Sequence, residues 1–288
     1  MVDKPCDWTS HDVVNKLRRW AGTRRVGHLG TLDPAATGVL PVVVGRATRL
    51  AQFYTRNDKV YEGVIHFGYA TDSYDAEGEP AGPEQSVTLD ATQVNAALDR
   101  FRGVFAQTPP PISAKKIAGH KAYELTRKGR PVELKPVDVE VYALDLLGIE
   151  GPEARVRVHC SAGTYLRSIA HDAGQALGCG AHLRSLRRTA SGDFTIEMGR
   201  TMEELGALAE ADRFSEAVIP AAQLLPQFPI EIVDEITAGQ IRNGRAFRVS
   251  PFHVRKDSKY VKAVTQAGEL IAIGEARLPL VYHPMLVL

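Results

Sequence analysis

Gly27-His28-Leu29-Gly30-Thr31-Leu32-Asp33-Pro34-Ala35-Ala36-Thr37-Gly38-Val39-Leu40-Pro41-Val42 places three glycines and two prolines in sixteen residues and leads into a β-branched run. Pattern alone reads it as structure. Asp33 before Pro34 fits a helix N-cap with proline at the first helical position, and Gly27-x-x-Gly30 fits a flexible turn. Val39 to Val44 suits a short buried strand. Upstream, Val13, Val14, Leu17 and Trp20 fall at helical spacing, and Thr9 with Asp12 three residues on resembles a capping box, which predicts a helix over Thr9 to Trp20.

Downstream, Val60 to Tyr69 reads as a strand, and Asp90 to Arg102 as a helix with Val94, Ala97, Leu98 and Phe101 on one face. Thr108-Pro109-Pro110-Pro111 fits neither helix interior nor central strand, so an excursion from the core opens there. Strands return at Val137 to Tyr142 and at Ala154 to Cys160, where Val156, Val158 and Cys160 alternate with Arg157 and His159. Leu166 to Leu177 is helical, with Leu166, Ile169, Ala170, Ala173 and Leu177 inward. Strands and helices without a regular βαβ rhythm predict an α+β domain on a mixed, largely antiparallel sheet. Two prolines, Pro226 and Pro229, bracket a link to a small β-rich unit with candidate strands at Val261, Ala263 and Leu270 to Ile273. The expected division is 1–225, with an insertion at about 106–135, and 229–288.

The chain has 288 residues, 44% of them hydrophobic, enough for a large domain and a small one. No apolar run approaches the roughly 20 residues that span a bilayer, and an acid stands where a secretory signal would be apolar, so a cytoplasmic protein is expected. Cys6, Cys160 and Cys179 form no Cys-x-x-Cys pair, which suggests neither a disulfide framework nor a thiolate zinc site. A net charge of +1 hides an uneven distribution. Seven Lys/Arg against two Glu lie between Ala106 and Lys135. Arg184, Arg187 and Arg188 form a second cluster, and Arg242 to Lys262 a third. One such run is commonly a solvated face, but three point to a polyanionic partner.

Residue identity then overrules the N-cap reading. Gly-His-x-Gly-Thr-Leu-Asp-Pro-x-Ala-Thr-Gly-x-Leu-Pro, as it stands from Gly27 to Pro41, closely resembles the catalytic motif of the TruB pseudouridine synthases. Asp3-Lys4-Pro5 with Thr9-Ser10, Lys59-Val60-Tyr61, and Gly163-Thr164-Tyr165-Leu166-Arg167-Ser168 resemble three further motifs of that family, and the last continues through His182 to Leu186-Arg187-Arg188. The resemblance runs from about Val2 to Phe194. Beyond Ile230 it thins to Gly239-Gln240-Ile241 and Asn243-Gly244, which resemble a PUA-like RNA-binding domain. Asp7 stands where the family usually has glycine, so either the backbone there avoids positive φ or Asp adopts it. Ile112 replaces a usual aromatic, and Lys115 a usual apolar residue.

The resemblance implies a cofactor-free and metal-free isomerase that flips uridine 55 out of the tRNA T-loop and converts it to pseudouridine. Breaking the bond from ribose to N1 and remaking it to C5 requires a nucleophile and no redox partner. Asp33 is the implied nucleophile, adding at ribose C1′ or at uracil C6. Arg167 is implied to hold that carboxylate ionised through a two-bond fork, and Tyr61 to stack on the uracil and to help remove the C5 proton. Tyr165 and Leu186 would line the pocket, His28 would fill the space the base leaves, and Lys4 would brace the loop. The insertion carrying Lys115, Lys116 and Lys121 resembles a clamp that grips phosphates of the T-arm. The implied partner is tRNA alone, bound by a monomer without a membrane or an obligatory protein. Three other readings fit less well: a guide-RNA-dependent relative would carry long basic tails, a pure RNA-binding protein has no use for a carboxylate that repels phosphate, and a metal hydrolase lacks clustered ligands.

Overall fold

The computed structural model describes residues 1–112, 116–117, 120–121, 135–255 and 257–288. The chain packs into two compact units that it enters by turns. One comprises Met1–Val13, Gly30–Pro41 and Thr55–Met202, the other Val14–Leu29, Val42–Tyr54 and Glu203–Leu288. In chain order the strands are β1 (Val2–Lys4), β2 (Val26–His28), β3 (Thr37–Leu40), β4 (Val42–Val44), β5 (Lys59–Phe67), β6 (Gly103–Gln107), β7 (Lys116–Ile117) and β8 (His120–Lys121). They continue as β9 (Val137–Glu150), β10 (Glu153–Cys160), β11 (Ala181–Ser191), β12 (Phe194–Thr195), β13 (Ile230–Val233), β14 (Phe247–Arg248), β15 (Tyr260–Thr265), β16 (Leu270–Leu278) and β17 (Val281–Val287).

The first unit is built on an eight-stranded sheet in the order β1-β3-β11-β5-β10-β9-β6, with β12 paired to β11. Every neighbouring pair is antiparallel except β3 with β11. This is the mixed, largely antiparallel sheet expected. β10 shows how sequence makes it: Ala154, Val156, Val158 and Cys160 are buried, while Arg155 and Arg157 are exposed. The helices Ala91–Asp99 and Leu166–Leu177 pack on each other and on the sheet. Leu98, Leu166 and Ile169 from the helices meet Ile65, Leu144, Val156, Val158 and Leu183 from the strands. Asp90 caps the first helix by accepting from the Thr92 N–H at 3.0 Å. Gly178, at φ +74, ends the second in the left-handed conformation that glycine favours.

Two expectations are corrected here. Val39 to Val44 is not one strand: Pro41, with no N–H to give a ladder, parts β3, paired with β1 and β11, from β4, paired with β2. The strand beginning at Val137 runs on to Glu150, because pairing with β10 carries it through Ala143 to Gly148, where local β propensity is weak. The helix after Thr9 occupies Ser10–Trp20. Its capping box forms, with Asp12 N donating to Thr9 Oγ1 and Thr9 N to Asp12 Oδ2, both at 3.0 Å.

Lateral pairing sets up the site. Lys4, Gly38, Arg188, Tyr61 and Val158 are successive partners across β1, β3, β11, β5 and β10, so their side chains share one face of the sheet. Gly38 has φ +98, and a Cβ there would lie 2.2 Å from the Arg188 carbonyl oxygen. Only glycine fits. Gly38→Ala is therefore expected to cost at least about 3 kcal/mol, combining overpacking with a disfavoured φ. A urea midpoint shift worth under about 1 kcal/mol would show that the two strands can part cheaply.

In the second unit, residues 230–288 hold their own five-stranded sheet, in the order β13-β15-β16-β17-β14. Its core includes Val233, Ile241, Phe247, Val261, Ala263, Ile271, Ala272 and Tyr282. The expected strands at Val261, Ala263 and Leu270 to Ile273 lie in β15 and β16. Asp234 caps the helix Glu235–Arg242, accepting from Thr237 N at 2.7 Å. Lys262, counted in the third basic cluster, is instead buried and donates to the carbonyls of Ala222 at 2.9 Å and Leu224 at 2.8 Å. Among the described residues no helix is long and apolar enough to cross a membrane.

Candidate active site

No helix follows Asp33-Pro34; a single turn closes there, with Ala36 N donating to Asp33 O at 3.1 Å. The N-cap pattern is thus present without the helix, and the Asp33 carboxylate is left free of capping. Its loop is tied down at several points. Ser10 Oγ donates to Leu32 O at 3.0 Å and accepts from Leu32 N at 2.9 Å. Lys4 is fully buried, and its Nζ donates to the carbonyls of Pro5 (2.7 Å), Trp8 (2.6 Å) and Pro34 (2.9 Å). Burial pushes the Lys4 ammonium down in pKa, against the opposing pull of Cys6, Asp7, Asp33 and Glu77. Asp7 adopts φ +63 and donates its N–H to Pro34 O at 3.1 Å, so Asp occupies the left-handed position itself.

Arg188 was read with Arg184 and Arg187 as a basic cluster. The structure separates them. Arg184 pairs with Glu153 at 2.8 Å, and Arg187 with Asp3 at 2.7 Å. Arg188 is buried, donating from Nε to Val39 O at 2.7 Å, from Nη2 to Gly30 O at 3.0 Å and from Nη1 to Thr31 O at 3.4 Å. Among the described residues it forms no ion pair; carbonyl dipoles of the Asp33 loop and of β3 receive its charge. It also lies against Tyr61. Burial drives the Tyr61 phenol up in pKa, with Arg188 partly offsetting this. The phenol is consequently neutral near pH 7, a hydrogen-bonding and stacking group and not a ready phenolate.

Arg167 lies in the first turn of the helix Leu166–Leu177 with a side chain 6% exposed. Its Nε is 3.0 Å from Asp33 Oδ2, and the Asp33 side chain is 43% exposed. Its Nη1 is 3.2 Å from Asp75 Oδ2 and donates to Ser73 O at 3.1 Å. The two-bond fork onto Asp33 is thereby corrected to a guanidinium shared between two carboxylates and a carbonyl. Such sharing fixes its plane while leaving Asp33 open on one side. Burial and the charges of Asp75, Asp33 and Asp7 push the nearby Glu77 carboxyl up in pKa.

The backbone of Tyr165 is locked by Gln107, whose side chain accepts from Tyr165 N at 2.8 Å and donates to Tyr165 O at 3.0 Å. Ser168 Oγ donates to Thr108 O at 2.8 Å. The start of the Arg167 helix is thus pinned to the end of β6. Leu186 is half-buried on β11 opposite Gly63. His28 belongs to the other compact unit, where it pairs with Val42 at the end of β2. Lys115 lies outside the described residues. Lys116 and Lys121 face each other across the β7–β8 ribbon, and their side chains are also outside the description.

Asp75, Ser73, Gln107 and the role of Arg188 were not found from sequence. Asp75 lies in the acidic stretch from Asp72 to Glu84, where Thr71, Asp72, Ser73, Asp75 and Gly78 mark a dense polar turn. Period-two alternation along β11 puts Arg188 on the same side as Leu186, a signal that it faces inward.

The profile described as TruB family pseudouridylate synthase (N terminal domain) matches residues 18–166, and that of the tRNA pseudouridylate synthase B C-terminal domain matches residues 167–226. The chain is 61% identical over 288 residues to a tRNA pseudouridine synthase B of Solibacter usitatus (strain Ellin6076), covering 100% of this chain and 98% of that protein. It is 36% identical over 279 residues to a tRNA pseudouridine synthase B of Aquifex aeolicus (strain VF5), covering 96% and 94%. Among solved structures it resembles a chain of a Cbf5-Nop10-Gar1 complex, with 28% identity, a TM-score of 0.70, and coverage of 97% of this chain and 78% of that one.

Proposed function

The chain belongs to the TruB family of pseudouridine synthases, and from that membership we propose how its residues divide the isomerisation of uridine 55 in the T-loop of tRNA. The observation that carries the assignment is the Asp33 carboxylate, half-open to solvent and 3.0 Å from the buried guanidinium of Arg167. Glu62 is as exposed, but its partner Arg157 is exposed too, whereas the Arg167 side chain that meets Asp33 is only 6% exposed. Asp33 is paired with a buried cation and left accessible, as a covalent nucleophile requires.

Asp33 adds to the flipped nucleoside, the bond from C1′ to N1 breaks, the uracil turns, C1′ bonds to C5, the bond to Asp33 breaks and frees the carboxylate, and the C5 hydrogen leaves as a proton while N1 takes one up. Arg167 pairs with Asp33 and keeps it aimed. Tyr61, on the shared face beside Arg188, stacks on the uracil with its phenol neutral, so its aid in the last step is as a hydrogen-bond partner. Lys4 and Arg188 do no chemistry; they hold the Asp33 loop by its carbonyls. Tyr165 and Leu186 line the pocket. The family motif supports His28 in the space left by the flipped base. Residues 229–288, with their own sheet and core, act as a PUA-like RNA-binding module. The enzyme works as a monomer in the cytoplasm without an obligatory protein partner, which light scattering of the purified chain with and without tRNA would check.

Incubating the protein with unmodified tRNA, without added metal or cofactor, tests the reading. One pseudouridine at position 55 is expected; none, in a folded preparation, rejects it. Changing Lys115, Lys116 and Lys121 together to Ala should weaken tRNA binding and flatten the log-log salt dependence by roughly 0.7 to 0.9 per lost phosphate contact. Turnover at saturating tRNA should fall less. Unchanged affinity and slope would make the insertion a solvated face.

A further inference from the structure

We propose that Tyr74 and His171 are positioning residues for this reaction: their stacked rings hold residues 73–75 in the shape that presents both the Ser73 carbonyl and the Asp75 carboxylate to Arg167. The inference rests on the Arg167 and Asp33 roles above.

Tyr74 stands between the two residues that contact Arg167, and its backbone is left-handed, at φ +68. A bulky L residue disfavours that region, so surrounding contacts must impose it. Its ring stacks on the His171 imidazole with centroids 3.7 Å apart and planes 15° apart. His171 lies four residues after Arg167 on the same helix, hence on the same helix face. Three consecutive loop residues therefore dock on one face of one helix: Ser73 O at 3.1 Å and Asp75 Oδ2 at 3.2 Å on Arg167, and Tyr74 between them on His171.

The hydrogen bonds of the loop to residues other than Arg167, among the described residues, reach β11 or close on the loop itself. Leu183 N donates to Tyr74 O at 2.9 Å, Ala76 N to Leu183 O at 3.1 Å, and Thr71 Oγ1 to Asp75 O at 2.7 Å. These fix where the loop lies against the sheet. Against the helix, the stack joins Arg167 in holding the loop. Burial lowers the pKa of His171, so two neutral rings meet. His171 Nδ1 is buried with no hydrogen-bond partner among the described residues. Without the stack, Tyr74 can relax to negative φ, which rotates the Ser73 and Asp75 peptides away from Arg167. The guanidinium then swings toward Asp33 alone, and the nucleophile loses its fixed direction.

Steady-state kinetics on the full chain with unmodified tRNA test this. Tyr74→Ala and His171→Ala should each lower kcat by about 10- to 100-fold, the scale of a misplacement near 1 Å, with KM and tRNA affinity nearly unchanged. Tyr74→Phe, which keeps the stack, should restore kcat. The double variant should be no worse than the poorer single one, and Tyr74→Ala should add nothing in an Asp75→Ala background, because all act through one contact. Should Tyr74→Ala fail to fold, His171→Ala, which leaves Tyr74 in place and removes only its stacking partner, carries the comparison. Unchanged kcat in the folded variants, a loss confined to KM, or multiplying effects of the two single changes would each overturn the proposal. Wild-type protein that forms no pseudouridine in the same assay overturns the functional reading; active wild type beside unaffected variants overturns this inference alone.

Discussion

Asp33→Asn is expected to form no detectable pseudouridine, a loss of at least about 10⁴-fold in turnover, while tRNA affinity stays within about tenfold, or 1.4 kcal/mol. The amide matches the carboxylate in shape but carries no charge and cannot add covalently to C1′ or C6. The fold should survive. Arg167 still has Asp75 at 3.2 Å and the Ser73 carbonyl at 3.1 Å, so its buried charge is not abandoned when Asp33 is neutralised. The Asp33 loop keeps the anchors from Lys4, Ser10 and Arg188, none of which uses the carboxylate. Gel-shift affinity and pseudouridine mapping on one preparation separate the two effects. Substantial product from Asp33→Asn would remove Asp33 as the nucleophile.

Arg167→Lys should lose about 10²- to 10³-fold in kcat, the scale seen when one preorganised donor is removed. Arg167 reaches Asp33 through Nε and both Asp75 and Ser73 through Nη1, contacts that diverge from opposite edges of one plane. An ammonium is a point charge on a flexible stem and cannot meet both edges together. One of two neighbouring carboxylates would then face the other without its cation, which adds about 1–3 kcal/mol of instability. Near-normal kcat in this variant would exclude Arg167 from the site.

Much of the frame was legible because local and tertiary demands agree. Leu166–Leu177 shows a clear helical period, and the alternation in β10 shows which side is core. Legibility failed where a long-range partner decides. The second half of β9 has weak strand character and is held by β10. Val39 to Val44 looked continuous, yet Pro41 sends its halves to different sheets. Asp33-Pro34 carries a helix-start pattern, but Lys4, Ser10 and Arg188 hold it as an irregular loop. Motif identity located Asp33 and Arg167 correctly as spatial neighbours, a contact across 134 positions that no local pattern encodes. Motif reading could not supply Asp75, because its significance lies in the other edge of the Arg167 guanidinium. Arg188 escapes charge counting for a related reason: such counts treat an arginine as surface, whereas its place beside Tyr61 and Gly38 in the sheet makes it a buried tie for the Asp33 loop.

Isomerisation to a C5 glycoside expels the hydrogen at C5 of one uridine and of no other, so tRNA transcribed with tritium at uracil C5 reports the chemistry directly. The wild-type enzyme should release one tritium per tRNA to solvent and then stop, releasing none when the target uridine is replaced by cytidine, and Asp33→Asn should release none from either substrate. Tritium release by Asp33→Asn, or the absence of release by folded wild-type protein that binds the tRNA, would contradict the account.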